Sequence, residues 1–331
     1  MEAQPTNGIL EEFRIDFLDS WQRLPNKGLF LMLLAAWLAL FQFLGNSTLG
    51  YVNTASLFSY MVDDFSSGGH WDQADDSYGV AVPFVVLVVF WLKRRELTSL
   101  ELKSWSPALI VVALGLVLHL LGFRIQQPRI SVLGMFTGVY GLMGLAWGPK
   151  WLRASLYPFC LFAFCVPMGS LAIPLTFRLQ LLVTKLVEVV CQFGLMIDVI
   201  REGTQLSDPT GSYHYEVAAA CSGIHSLVAT LGLAVVLSFY SLPKWGSRLL
   251  MIAAAFPLAV LGNLLRMLAI VIAAEFGGQS WGNWVHDGGP FGTFSLLPYV
   301  PAFLGLLWLE GRLREHPQKL TADARFEAKA I

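Results

Sequence analysis

The feature that most constrains this chain is a series of long apolar segments that contain almost no charge. The candidates are residues 28–45, 79–92, 107–123, 131–148, 154–171, 217–240, 249–276 and 291–309. A helix that crosses a bilayer core about 30 Å thick needs about 20 predominantly apolar residues. The segments therefore predict an all-α polytopic membrane protein with about eight transmembrane helices.

The low content of charged residues points to the same class. Of 331 residues, 55% are hydrophobic and only 14% are charged, whereas soluble domains carry about 25% charged residues. A chain with so little charge cannot cover its surface for water. This excludes an ordinary cytosolic enzyme, a disordered protein and a nucleic-acid binder, so membrane lipids are the expected surroundings and no nucleic acid is an expected partner.

The basic residues predict the orientation of the chain. With the amino terminus in the cytoplasm and eight spans, most of the 22 Lys and Arg residues fall in cytoplasmic segments, as the positive-inside rule requires. We therefore expect both termini in the cytoplasm. Residues 1–27 are predicted to form a cytoplasmic amino-terminal segment, residues 28–309 a single integral membrane catalytic domain, and residues 310–331 a cytoplasmic basic tail.

One further apolar stretch, residues 174–196, differs from the spans because it carries a polar stripe. Arg178, Lys185, Glu188 and Gln192 fall on one face of a helix. The two readings are a ninth span and an extra amphipathic helix lying in the interface. A ninth span would place the later basic residues outside, so the interfacial helix is preferred. Beyond it, residues 197–200 and 213–217 are predicted to pair as a short outer-face hairpin.

Arg266 is the conspicuous charge inside a predicted span. An Arg at the centre of a membrane helix costs about 2.5–3.5 kcal/mol on translocon scales, and such residues are usually functional. Asn263 lies three positions earlier, on the same helix face. The alternative is a structural role, in which Arg266 snorkels to the interface or pairs with a carboxylate.

Two groups that suit covalent chemistry are predicted at the same outer face as Arg266. Cys221 opens the preceding span among small residues, where the positive end of a helix dipole favours a thiolate. His286, in the loop before the last span, would supply a base. His225 and His214 are competitors for that role, with His225 ranked second. A buried spacer Cys at a helix contact is the alternative reading of Cys221.

These residues resemble the exosortase/archaeosortase family. The resemblance covers residues 83–308 and keeps the order Cys, Arg, His. It rests on the run Ala220-Cys221-Ser222-Gly223-Ile224 with Ser226, on Gly262-Asn263-Leu264-Leu265-Arg266, and on His286 before the last span.

The resemblance implies a membrane-embedded cysteine transpeptidase or protease in a bacterial inner membrane, with its site at the outer face. It would act on exported proteins that end in a short Pro-Glu-Pro-like motif, a transmembrane helix and a basic cluster, and transfer them to a glycan or lipid acceptor or to water. Cys221 would be the nucleophile, Arg266 the transition-state stabiliser and His286 the acid/base, with Asn263 and Ser222 in support.

Two other functions remain open at this stage, a transporter or flippase that uses Arg266 to bind an anionic ligand, and a membrane cysteine acyltransferase. The sequence contains no metal-ligand cluster and no nucleotide-binding loop, so no cofactor is predicted.

Overall fold

The structure, a computed structural model, describes residues 9–45, 55–66, 77–168, 173–216, 224–289, 293–294 and 296–314. The chain divides into two compact units, Met1–Gly68 with Asp76–Met168 and Gly69–Asp75 with Gly169–Ile331. The first unit contains α1 (Ile9–Arg23), α2 (Lys27–Phe43), α3 (Leu57–Ser66), α4 (Val82–Leu92), α5 (Arg94–Thr98), α6 (Ala108–Arg124), α7 (Pro128–Trp147) and α8 (Pro149–Cys160). The second contains α9 (Ile173–Val189), β1 (Ile200–Glu202), β2 (Gln205–Ser207), β3 (His214–Glu216), α10 (Ile224–Ser241), α11 (Trp245–His286) and α12 (Tyr299–Leu313).

The helical pair α6 and α7 packs through small residues in the first unit. A Cβ built on Gly115 would lie 2.7 Å from the Gly134 carbonyl oxygen, so only Gly permits this approach of the two backbones. The buried His119 lies in the same interface. Its Nδ1 is 3.1 Å from Ser131 Oγ and its Nε2 is 3.0 Å from the Leu44 carbonyl oxygen. Both ring nitrogens therefore have partners, as buried polar groups require.

A bend of 92° separates α1 from α2. Asn26 sits at the bend with φ 53°, a left-handed conformation that Asn tolerates better than most residues. The end of α7 holds it in place, because Trp147 Nε1 donates to the Pro25 carbonyl at 2.9 Å and Asn26 Nδ2 donates to the Ala146 carbonyl at 3.2 Å. The helix α1 was not predicted from the sequence, because its polar residues interrupt the apolar residues and leave no long apolar run.

The prediction of one continuous span over residues 154–171 is wrong, because the helix is interrupted within this segment. The helix α8 ends at Cys160, and a 3₁₀ segment, Leu161–Cys165, follows it. Pro158 lies within α8 and provides no backbone N–H, which weakens the helical ladder at this point. A second proline, Pro167, follows two residues after the 3₁₀ segment.

The second unit confirms that the predicted segment 174–196 is helical as far as Leu195. One face of α9 is buried with the core of the unit through Leu179, Val183 and Val187, while Arg178 and Lys185 on the predicted polar stripe are exposed. A π-helical turn, Val190–Leu195, ends the element. The location of this helix in the membrane interface stays a prediction.

The predicted outer-face hairpin is wrong in its pairing. In the described part of the chain, three strands form an antiparallel sheet in the order β1-β2-β3, so residues 214–216 pair with β2 and not with residues 197–200. The missing partner is β2, which a two-residue turn joins to β1. Gly203 occupies that turn at φ 64°, a conformation available to glycine at no steric cost, and Glu202 pairs with Gln205 on either side of it.

Length and composition identify two described helices as candidate membrane spans, Pro128–Trp147 and Trp245–His286. The bent pair Glu11–Arg23 with Lys27–Phe43 would be a third. Shorter apolar helices cover Tyr78–Leu92, Ala108–Arg124 and Ser226–Ser241. The count of eight spans, their orientation and the predicted domain limits therefore stay predictions.

Candidate functional site

The long helix α11 carries two of the predicted site residues and breaks near its end. An unbroken helix of 42 residues would be about 63 Å long, roughly twice the bilayer core. The break falls at Gly278, whose φ of 69° and ψ of −171° belong to a region that essentially only glycine occupies. Residues 279–286 then form a short helical segment, which we call the return segment.

The return segment folds back along α11 rather than continuing away from it. Arg266 and His286 are 20 residues apart and would be separated by about 30 Å in a straight helix. Instead, Arg266 Nη2 lies 3.4 Å from the His286 carbonyl oxygen. A Cβ built on Gly282 would lie 2.9 Å from the Ala274 Cβ, so glycine also permits the close packing of the return segment on α11.

The strand β3 holds the return segment from the other side. Gln279 Oε1 accepts the His214 backbone N–H at 2.8 Å, and Gln279 Nε2 donates to the His214 carbonyl at 3.2 Å. The Tyr215 hydroxyl donates to the Gln279 carbonyl at 3.1 Å and lies against Gly282, where an added Cβ would overlap it. Burial, and then the negative charge of Asp287, raise the pKa of Tyr215, so its hydroxyl stays a donor.

Arg266 lies in a largely enclosed position on α11. Its side chain is half-buried, and its Nε is fully enclosed and has no hydrogen-bond partner among the described residues. Asn263, one turn earlier, is 1% exposed. Gly262 beside it packs directly on the Pro298 carbonyl, where an added Cβ would overlap the oxygen. The Asn-x-x-Arg pair thus occupies the buried side of α11, as its helical spacing predicts.

His286 ends the return segment and stands beside a carboxylate. Its Nδ1 lies 3.1 Å from Asp287 Oδ1, and its side chain is 40% exposed. The chain turns immediately afterwards at Gly288 and Gly289, with φ of 100° and 61°. The Phe294 backbone N–H donates to the Gly288 carbonyl at 2.9 Å and closes the turn. The two glycines therefore let the chain reverse one residue after the His286–Asp287 pair.

The predicted nucleophile lies outside the described residues. Cys221 and Ser222 belong to residues 217–223, and the side chain of His225 is not described either. Along the chain, Cys221 follows the end of β3 by five positions and precedes the first residue of α10 by three. The structure brings Arg266 to the backbone of His286, and the backbone of His214 hydrogen-bonds with Gln279 of the return segment.

Three residues of this site were missed in the sequence. Tyr215 and Gln279 join β3 to the return segment, and Asp287 contacts the His286 ring. Of these three, only Asp287 could have been recognised from the sequence, because a carboxylate next to a candidate base commonly orients that base. Within the described ranges, no three His, Cys, Asp or Glu side chains gather as metal ligands would.

The family described as transmembrane exosortase (Exosortase_EpsH) matches residues 70–303. No curated protein and no solved structure matches the chain. Because the family match covers more than half of the sequence, the chain belongs to the transmembrane exosortases, which confirms the resemblance noted in the sequence.

Membership of the transmembrane exosortase family gives the general class of this protein. Transmembrane exosortases are membrane-embedded sorting transpeptidases, thought to be of the cysteine type, that act on exported proteins carrying sorting signals. The matched range includes Cys221, Arg266 and His286 together with the whole return segment up to its glycine turn.

Proposed function

We propose that this protein cleaves a carboxy-terminal sorting signal from exported proteins through a thioester on Cys221, and transfers the upstream product to an acceptor or to water. The signal would consist of a short Pro-Glu-Pro-like motif, a transmembrane helix and a basic cluster. The proposed site faces outward from a bacterial inner membrane, with both termini in the cytoplasm.

The approach of Arg266 to His286 is the observation that carries the proposal. A break at Gly278 and contacts from β3 return the chain to Arg266, which sits at 3.4 Å from the His286 carbonyl. The reversal brings the Arg266 guanidinium to the backbone of His286, and a guanidinium together with an imidazole suits acyl transfer from a peptide, which supports the proposal.

The first half of the reaction uses the thiolate and the imidazole. Cys221 Sγ attacks the scissile carbonyl carbon, and the carbonyl oxygen takes up the electron pair. The tetrahedral intermediate collapses to a thioester as the C–N bond breaks, and His286 gives its proton to the leaving amine. Asp287 contacts Nδ1 of His286, so the proton transfer is assigned to Nε2.

Arg266 has the role of stabilising the oxyanion. Its buried Nε has no partner among the described residues, and a donor in a water-poor site stabilises developing negative charge more strongly than one in water. Asn263 supports the guanidinium from one turn away on the same helix, and Ser222 lies next to the nucleophile in sequence. An amine from a glycan or lipid acceptor, or water, then attacks the thioester carbonyl and gives a proton to His286, and the C–S bond breaks to release the Cys221 thiolate.

Processing of a tagged substrate in cells tests the proposal. We expect Cys221→Ala to abolish cleavage, and Arg266→Lys to lower its rate by about 100-fold, the loss measured when one oxyanion-hole donor is removed. Lys keeps the charge but lacks the planar fork of Arg. His286→Ala should also block cleavage.

The matched control is Cys160→Ala, which removes an exposed thiol from the first unit and should leave processing unchanged. If Cys221→Ala still cleaves, the thioester mechanism is wrong. If Arg266→Lys keeps full processing but no longer accumulates an anionic solute, the transporter interpretation of Arg266 would be favoured instead.

A further inference from the structure

A second candidate site lies in the first unit, in a part of the chain that the proposed reaction does not use. An open apolar cavity of about 670 Å³ is lined mainly by α1, α4, α5, α7 and α8. This volume is in the range of small-molecule binding pockets, about 300–1,000 Å³. Its walls are strongly aromatic and include Phe17 and Trp21 from α1, Trp91 from α4, and Trp147 and Trp151 from α7 and α8.

A polar cup of about 340 Å³ adjoins the apolar cavity. Ser20, Arg94 and Thr98 line both spaces, so the two are continuous along α1 and α5. The charged residues of the cup are three arginines and two aspartates, which gives it a net positive charge. They are Arg23, Arg94, Arg95, Asp16 and Asp19.

Arg94 marks the boundary between the apolar and the polar space. Its guanidinium lies 4.0 Å from the centre of the Trp91 ring, and its Nη1 donates to the Trp91 carbonyl at 3.0 Å. It also pairs with Asp16, and the hydrogen bond from Arg94 holds the pKa of that carboxyl below its ordinary value. The Nε of Arg94 is enclosed and has no partner among the described residues.

Arg95 and Arg23 leave donors open to the cup. The Arg95 side chain is 81% exposed, and its Nη2 forms a long ion pair with Asp16 Oδ2 at 3.5 Å. The Arg23 side chain is 58% exposed and pairs with Asp19 at 3.0 Å. Exposed pairs of this kind contribute little to stability, so an incoming anion competes for these guanidinium groups at small cost.

We propose that this cavity and cup bind one anionic phospholipid, with an acyl chain in the aromatic cavity and the phosphate on Arg95 and Arg23. The chain belongs to a transmembrane family, so bilayer lipid is the abundant amphiphile at hand. An apolar slot that opens onto a net positive cup complements an anionic headgroup, and basic pockets between membrane helices commonly bind such headgroups. The orientation predicted from the positive-inside rule puts the cup at the cytoplasmic leaflet.

Native mass spectrometry of the purified full chain tests this site directly. The protein is extracted, delipidated and mixed with phosphatidylglycerol and phosphatidylcholine of identical acyl chains. We expect one phosphatidylglycerol to be retained in preference to phosphatidylcholine. Arg95→Gln should lower that preference by about fivefold, the contribution of one Arg near a charged bilayer surface.

The controls separate the site from general lipid binding. Arg153→Gln removes an exposed Arg of the same unit that lines neither space, and it should leave the preference unchanged. Ser20→Trp fills the junction between cavity and cup and should prevent retention of either lipid. If Ser20→Trp does not fold, Arg95→Gln, on an exposed side chain, still decides.

Three results would overturn the proposal. Equal retention of the two lipids would mean that the charge of the cup has no role. An equal effect of Arg95→Gln and Arg153→Gln would reduce the interaction to overall charge. A mass equal to two chains with no bound lipid would mean that a second copy of the chain covers the cavity.

Discussion

The return segment depends on glycine at position 282, and Gly282→Ala is the sharpest perturbation of it. An added Cβ would overlap the Tyr215 hydroxyl and lie 2.9 Å from the Ala274 Cβ. Either the return segment moves away from α11, or Tyr215 moves and loses its hydrogen bond to the Gln279 carbonyl. Both outcomes displace His286, four residues further along.

The expected magnitude follows from these two contacts. Overpacking a tight interface costs about 1–3 kcal/mol, and a lost hydrogen bond costs about 0.5–1.5 kcal/mol. We therefore expect Gly282→Ala to lower the free energy of unfolding by about 1–3 kcal/mol through overpacking, and by up to about 4.5 kcal/mol if the Tyr215 hydrogen bond is lost as well. It should also reduce processing, because the His286 carbonyl would no longer lie 3.4 Å from Arg266 Nη2, and the proposed reaction needs both residues held in place.

Denaturant unfolding in detergent and substrate processing are the two assays. The matched control is Gly232→Ala in α10, where nothing lies within 4 Å of an added Cβ and Ala favours the helix. Adding Tyr215→Phe to Gly282→Ala removes the overlapping hydroxyl and should return part of the lost stability. If Gly282→Ala and Gly232→Ala are equally stable and equally active, the described packing of the return segment is wrong.

Three further predictions concern the same unit. Gly278→Ala places a side chain where φ is 69° and should cost about 1–3 kcal/mol, with Gly246→Ala, which meets no neighbour, as the control in the same unfolding assay. Asp287→Asn should lower kcat by less than about 100-fold and alter its pH profile while KM is kept; an unchanged profile would remove Asp287 from the mechanism. Hydrogen bonds from Thr210 lower the pKa of Asp208 from its ordinary value of 3.8. Ionised Asp208 therefore stabilises the β2–β3 turn fully above this ordinary pKa, and the stabilisation is lost as the pH falls through the lowered pKa. Hydrogen exchange of the turn, corrected for intrinsic rates, should show this acid-dependent opening in the wild type and lose it in Asp208→Asn.

The membrane class and most helices could be predicted because apolar runs report directly on burial in lipid. The helices α2, α6 and α7 lie close to the predicted segments 28–45, 107–123 and 131–148. Amphipathic α1 was missed because its polar residues break the run. The segment 154–171 was predicted as one span because mean apolarity takes no account of the backbone N–H that Pro158 lacks.

The candidate site was less accessible to sequence reasoning for a different reason. Arg266 and Asn263 are separated by one helical turn, so their shared face could be read from spacing. The fold-back of His286 depends on contacts from Tyr215 and from the backbone of His214 to Gln279, some 65 residues away. Long-range contacts of this kind leave no periodic signal. The pairing of β1 with β2 was missed, although a glycine such as Gly203 is a typical residue of a hairpin turn.

The most direct test of the central claim is the mass of the covalent intermediate on Cys221. Purified enzyme is incubated with a sorting-signal peptide, quenched in acid and digested, and the peptide that contains Cys221 is identified by mass spectrometry. The account predicts an adduct equal to the part of the substrate upstream of the cleaved bond, absent in Cys221→Ala and unchanged in Cys160→Ala. A fatty-acyl adduct, or cleavage that proceeds fully in Cys221→Ala, would contradict it.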